Sequence, residues 1–181
     1  MTIYFVTGNK EKFREVKDIL KGFEVEQVDI DLPELQGEPE DIVKEKAKLA
    51  AEKSGKAVFV EDTCLCFIEL NGLPGPYVKD FIKKIKIQGL YELASKLGDT
   101  SAVAIASIGY CEPGNEALVF QGKVKGKIVS PRGDPRFQWD QIFMPEGFDR
   151  TFSEMSIEEK NKISHRKLAF EEFRQYLEGL K

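Results

Sequence analysis

The stretch Ile3–Lys12, reading IYFVTGNKEK, constrains this chain most, because an apolar strand runs straight into a Thr-Gly-Asn turn and a helix that opens on cations. The N-terminus of a helix carries unpaired N–H groups and the positive end of its dipole, so this junction is suited to an anion such as phosphate. Lys10 and Lys12 add mobile positive charge beside those amides. The motif lacks the second glycine and the Lys-Ser/Thr pair of a Walker loop. An ordinary strand-to-helix turn capped by Asn9 is therefore the competing reading.

The alternation continues. A helix from about Lys10 to Lys21 places Phe13, Val16, Ile19 and Leu20 on one face, a strand follows near Glu24–Val28, and a second helix starts around Pro39 and stops at Gly55. Ala57–Val60 then reads as a short buried strand. Strand and helix in turn over sixty residues are the pattern of an α/β sheet. Further on, NGLPGPY (Asn71–Tyr77) is a turn, and helices are predicted over Val78–Ile85 and Gln88–Leu97. Strands over Ala102–Tyr110, Glu116–Gln121 and Lys123–Val129 suggest an antiparallel meander, and Ser130–Phe148 reads as a long irregular loop of the kind that carries function. Near the C-terminus, Ser156 and Glu159 make a capping box. An unbroken helix from there would point Lys160 and His165 roughly 140° apart. A break at Ser164, capping a second helix from His165, is the favoured reading.

With 31 acidic and 27 basic residues spread along 181 positions, and a net charge of -4, no basic tract suggests DNA or RNA as a partner. No apolar run approaches a membrane span, and the chain reads as a soluble cytoplasmic protein. Cys64, Cys66 and Cys111 have neither zinc-ribbon nor thioredoxin spacing, and the apolar surroundings of the first two predict buried thiols in a reducing compartment.

Two acidic regions and one aromatic segment are candidates for chemistry. Asp62, in Glu61-Asp62-Thr63 after the third strand, stands where open α/β sheets commonly place ligands. Magnesium takes one or two carboxylates together with phosphate oxygens and water, so one Asp beside a phosphate seat is chemically sufficient. Glu34, Glu38, Glu40 and Asp41 are a second acidic supply, although the last three equally suit a capped helix start. The segment RFQWDQIF (Arg136–Phe143) combines aromatic rings with a carboxylate, a means of stacking on a base and reading its edge. Trp139 could equally close the core beneath the loop. His165, the only histidine, stands between Ser164 and Arg166.

The blocks FVTGNKEK, LPELQGEPEDI, VEDTCLCF, LPGPYVKDF, FQWD and EEKNKISHR, in this order, closely resemble the inosine/xanthosine triphosphate pyrophosphatases, in particular their archaeal and eukaryotic members. The resemblance implies an α/β fold with a long central mixed β-sheet flanked by helices, and two lobes enclosing a substrate cleft. It further implies a homodimer that uses magnesium to hydrolyse noncanonical purine nucleoside triphosphates (ITP, dITP, XTP) to monophosphate and pyrophosphate. By matching motif, Thr7, Gly8, Asn9, Lys12 and Lys46 would hold the phosphates, with Lys10 beside them. Glu34 and Asp62 would bind magnesium. Asp62 would also orient or deprotonate the attacking water, with Lys12 stabilising the leaving group and Thr63 beside the substrate. Phe137, Gln138, Trp139 and Asp140 resemble the base-binding segment, and Lys160, His165 and Arg166 would complete the pocket. Gln138 departs from the pattern, since relatives often have glycine there. Arg166 can only donate hydrogen bonds, which suits the C6 oxygen of hypoxanthine and xanthine over the amino group of adenine.

Overall fold

The computed structural model describes residues 2–180, apart from the side chains of Glu11, Arg136 and Phe137. Its elements run β1 (Thr2–Val6), α1 (Lys10–Ile19), β2 (Glu24–Val28), α2 (Pro39–Ser54), β3 (Val58–Phe67), β4 (Pro74–Gly75) and α3 (Val78–Lys96). They continue with β5 (Ser101–Cys111), β6 (Leu118–Ile128), β7 (Phe143–Pro145), α4 (Ile157–Ile163) and α5 (His165–Gly179). Among the described residues, seven strands form one mixed sheet in the order β2-β1-β3-β5-β6-β7, with β4 paired to β3. The α/β architecture expected from the alternation is the one observed.

The chain divides into two compact units. The first comprises residues 1–62, 107–121 and 169–181, and the second residues 63–106 and 122–168. In the first unit, β1 lies parallel to both β2 and β3, with Phe5 opposite Phe59. Those two rings stack at 4.7 Å, and Phe173 of α5 packs on Phe59 at 5.2 Å. Helix α2 buries Val43, Ala47, Ala50 and Ala51 against Val58 and Val60 of β3. It approaches β5 so closely that a Cβ on Gly109 would stand 2.2 Å from the Val43 carbonyl oxygen. Only glycine permits that contact, so the backbone of α2 has a fixed position above the sheet. Gly55 ends the helix in the left-handed conformation, with φ 65°, as expected.

The second unit has its own core, in which Leu65, Phe67, Leu90, Trp139, Phe143 and Phe152 are buried together. Helix α3 is interrupted at Lys86 (φ 63°, ψ 175°), which reproduces the two helical stretches read from the sequence. The break between α4 and α5 also falls where expected. Ser164 has extended backbone angles, and its Oγ accepts the N–H of Lys167 at 3.2 Å.

Three expectations are corrected. The strand predicted over Ala57–Val60 continues to Phe67, so Glu61, Asp62 and Thr63 stand inside a strand rather than beyond its end. Lys12 and Lys46 pair with the two carboxylates, which offsets part of the cost of acidic residues inside the strand. Gly122 does not divide β6, because ladder pairing overrides the weak strand propensity of glycine. Finally, 130–148 is not structureless: it holds a 3-10 turn at Pro135–Gln141, followed by β7. β7 pairs antiparallel with β6, Phe143 lying opposite Ile128. Cys64 and Cys66 are buried, as expected, and Cys111 is buried as well. Among the described residues, no helix is long and apolar enough to cross a membrane.

Candidate active site

The turn between β1 and α1 is built by local side-chain bonds. Thr7 Oγ1 accepts the N–H of Asn9 at 3.1 Å, and Asn9 Oδ1 accepts the N–H of Lys12 at 3.0 Å. Asn9 therefore caps α1, as the competing reading proposed. Beside this turn is a cavity of about 530 Å³, whose lining includes Thr7, Gly8, Glu34, Lys46 and Asp62. Five residues that resemblance assigned to phosphate or magnesium, far apart in sequence, are thus gathered in the first unit. Asn9 and Lys10 are exposed at the start of the adjoining helix.

Two ion pairs organise the cavity wall. Successive residues of a strand face opposite ways, so Glu61 and Asp62 meet different cations. Glu61, whose side chain is fully buried, pairs with the ammonium of Lys12, which also donates to the Glu61 carbonyl oxygen at 3.3 Å. On the other face, Lys46 Nζ donates to Asp62 Oδ2 at 2.9 Å and lies 3.7 Å from Glu34 Oε2. Burial pulls the pKa of Lys46 down, but the Asp62 and Glu34 carboxylates outweigh it and hold the ammonium above its ordinary value of 10.5. The two proposed metal ligands therefore converge on one cation, and that cation is a lysine.

Sequence reasoning assigned no role to Glu61, and it passed over Asp29 and Asp31, which also line the cavity. Their signal was available: Asp29 and Asp31 alternate with Ile30 and Leu32 after β2, the period of a chain with one wet and one dry side. With Glu34 and Asp62, the wall presents four carboxylates against the Lys46 ammonium, while Glu61, which also lines the cavity, turns its fully buried carboxylate to Lys12. Such a cavity repels a polyphosphate unless further positive charge comes with it. Among the described residues, no group of three or more His, Cys, Asp or Glu is arranged to hold a metal by protein donors alone. Two hard-oxygen donors within reach of one cation fit magnesium, which can take its remaining ligands from phosphate and water.

The residues assigned to the base lie in the second unit, apart from Phe137, whose side chain is outside the described residues. Trp139 is a core residue, 7% exposed, packed edge-on to Phe143 and 5.4 Å from the ring of His165. His165 is itself buried and stacks on Phe152. Asp140 is buried and forms an ion pair with Lys160. Trp139, Asp140, Lys160 and His165 thus form one cluster, with half-buried Arg166 next along α5. Thr63 is half-buried in β3.

Gln138 adopts the backbone conformation that a glycine takes most readily. It has φ 46°, in the left-handed region that favours glycine, and its carbonyl oxygen is held by Gln141 Nε2 at 3.0 Å. Left-handed backbone costs an L-residue about 1–2 kcal/mol, while glycine restores about 0.5–1 kcal/mol of unfolded-chain entropy. Gln138→Gly is therefore expected to stabilise the protein by about 0.5 kcal/mol, read as a small rise in melting temperature.

Lys160 owes its position to α4, which begins at the predicted capping box: Glu159 N–H donates to Ser156 Oγ at 3.1 Å, and Ser156 N–H to Glu159 Oε2 at 2.9 Å. The Arg150 guanidinium, followed by the Ser156 N–H, pulls the Glu159 carboxyl from 4.5 down to about 2. A pKa depressed on folding stabilises above the unfolded value and is lost as pH falls through the folded one. Glu159→Gln should therefore melt below the parent at pH 7, and the gap should close between pH 4.5 and 2 in a series of thermal melts.

The Ham1 family model matches residues 3–176. An inosine triphosphate pyrophosphatase of Tuber melanosporum is 49% identical over 181 residues, covering 98% of this chain and 97% of its own. One from Scheffersomyces stipitis is 47% identical over 189 residues, with 97% of each chain covered. Among solved structures, a HAM1 protein from Coxiella burnetii superposes with a TM-score of 0.90 at 27% identity over 99% of both chains. The Ham1 protein of Staphylococcus aureus gives 0.88 at 31% identity over the whole of both. A nucleoside-triphosphatase / dITP/XTP pyrophosphatase from Mycobacterium abscessus gives 0.78 at 27% identity, over 96% of this chain and 98% of its own. Matched over nearly its whole length by the family model and by relatives close to half identical, this chain belongs to the Ham1 family.

Proposed function

We propose that this protein is a magnesium-dependent pyrophosphatase that hydrolyses noncanonical purine nucleoside triphosphates, ITP, dITP and XTP among them, to the monophosphate and pyrophosphate. The observation that carries this reading is the convergence of Glu34, Lys46 and Asp62 on one cavity beside the Thr7–Gly8 turn. It occurs in a chain about half identical to proteins named inosine triphosphate pyrophosphatase.

In this mechanism Glu34 and Asp62 would hold the metal, which when bound would supply charge neutralisation and polarisation of the phosphate. The ammonium groups of Lys46 and Lys12 meet the phosphate oxygens and stabilise the charge that builds on departing pyrophosphate. Asp62 accepts a hydrogen bond from the attacking water and orients it. Gln138, Asp140, Lys160, His165 and Arg166 are the base-reading candidates, and a donor such as Arg166 favours a C6 oxygen over a C6 amino group. A homodimer and a cytoplasmic location belong to the same proposal; the buried thiols accord with a reducing compartment.

The test is a product assay with magnesium and a panel of triphosphates. Pyrophosphate released from ITP and XTP well ahead of ATP and GTP is expected. Orthophosphate as the first product, or binding without turnover, would overturn the reading.

A further inference from the structure

We infer that Lys46 is a built-in occupant of the cation position between Glu34 and Asp62, and that it must leave before a divalent cation can bind there. The inference rests on the proposed function insofar as it takes Glu34 and Asp62 as the metal's ligands. Lys46 Nζ stands 2.9 Å from Asp62 Oδ2 and 3.7 Å from Glu34 Oε2, so the ammonium hydrogen-bonds one carboxylate and lies within ion-pair range of the other. The Glu34 side chain is 97% exposed, whereas that of Lys46 is only 14% exposed. The lysine is therefore the more buried partner, and Glu34 approaches it from the solvent side.

The backbone of Lys46 is held by the buried face of α2 and its close approach to Gly109, which leaves the four-carbon side chain as the part that can move. A divalent ion and an ammonium cannot share the same two carboxylates without strong mutual repulsion. A polyphosphate removes the conflict. Its oxygens would accept hydrogen bonds from the ammonium in place of Asp62 and would offer a divalent cation oxygen ligands beside Glu34 and Asp62.

Two consequences follow. In the absence of nucleotide the lysine competes with the metal, which keeps affinity for a bare cation low. When the phosphate chain enters, metal and nucleotide favour each other's binding, and linkage makes that coupling reciprocal. The lysine also neutralises part of the acidic wall until the substrate arrives, so the cavity need not hold the carboxylates of Asp29, Asp31, Glu34 and Asp62 against one another.

The experiment is a titration of the full chain with Mn2+ alone, following free metal by electron paramagnetic resonance with no nucleotide present. Lys46→Met is expected to bind Mn2+ at least about fivefold more tightly than the parent, and Lys46→Arg, which keeps the charge, about as weakly as the parent. Lys46→Gln, which keeps a donor toward Asp62 without the charge, takes the place of the methionine variant if that one does not fold. Equal or weaker Mn2+ binding by the uncharged variants overturns the inference while leaving the proposed function intact. If tighter binding persists after Asp62→Asn is added to Lys46→Met, the metal lies elsewhere, and both the inference and the assigned ligands fall.

Discussion

Lys12→Met is expected to lower the free energy of unfolding by about 3 kcal/mol, and Glu61→Gln by distinctly less. The asymmetry follows from burial. The Glu61 side chain is fully buried in β3, whereas Lys12 keeps 23% of its side chain in contact with solvent. Remove the lysine, and the carboxylate loses this ion pair in a place that water does not reach, which raises the cost of keeping its charge there. Remove the carboxylate charge while keeping its volume, and the lysine can turn toward water. Urea denaturation with an unchanged m-value would check the ordering. Equal costs for the two variants would mean that the pair behaves as an exposed ion pair, which contributes little.

The largest effect on activity is expected from Asp62→Asn, a fall in ITP hydrolysis of about 10²–10⁴-fold at saturating magnesium and substrate. The substitution keeps the shape of the side chain and a hydrogen-bonding oxygen toward Lys46, but it removes the charge that the proposed metal and the attacking water both require. Stability should change much less, since 31% of the Asp62 side chain is exposed and Glu34 still accompanies Lys46. The readout is pyrophosphate release per enzyme, alongside a thermal melt that shows the fold intact. Activity within about tenfold of the parent would remove Asp62 from the reaction.

Much of the architecture was legible because it depends on neighbours in sequence. The capping box at Ser156, the break at Ser164, the stop at Gly55 and the interruption near Lys86 all follow from rules that span a few residues. The β1–α1 turn was legible in the same way, although Asn9 is the helix cap that the more ordinary reading proposed. The full extent of β3 was not legible, because its middle reads Glu-Asp-Thr and only lateral pairing and ion partners make that sequence acceptable in a strand. The left-handed backbone of Gln138 was hidden for a similar reason. Glutamine gives no local signal for it, and surrounding contacts impose it.

At the candidate site, matching motifs named Thr7, Gly8, Glu34, Lys46 and Asp62 but could not say which carboxylate meets which cation. Lys12 and Glu61 are 49 positions apart, and Lys46 and Asp62 are 16 apart. The sequence by itself determined the α/β alternation, the helix ends, the acid-rich and lysine-bearing segments and, through their motifs, the family. The tertiary structure alone decided that Glu61 would be buried with Lys12 while Asp62 and Glu34 share Lys46. That choice depends on the parallel pairing of β1 with β3 and on the docking of α2, which are long-range contacts. Periodicity shows which way a side chain faces along its own element, and only packing decides what it finds there.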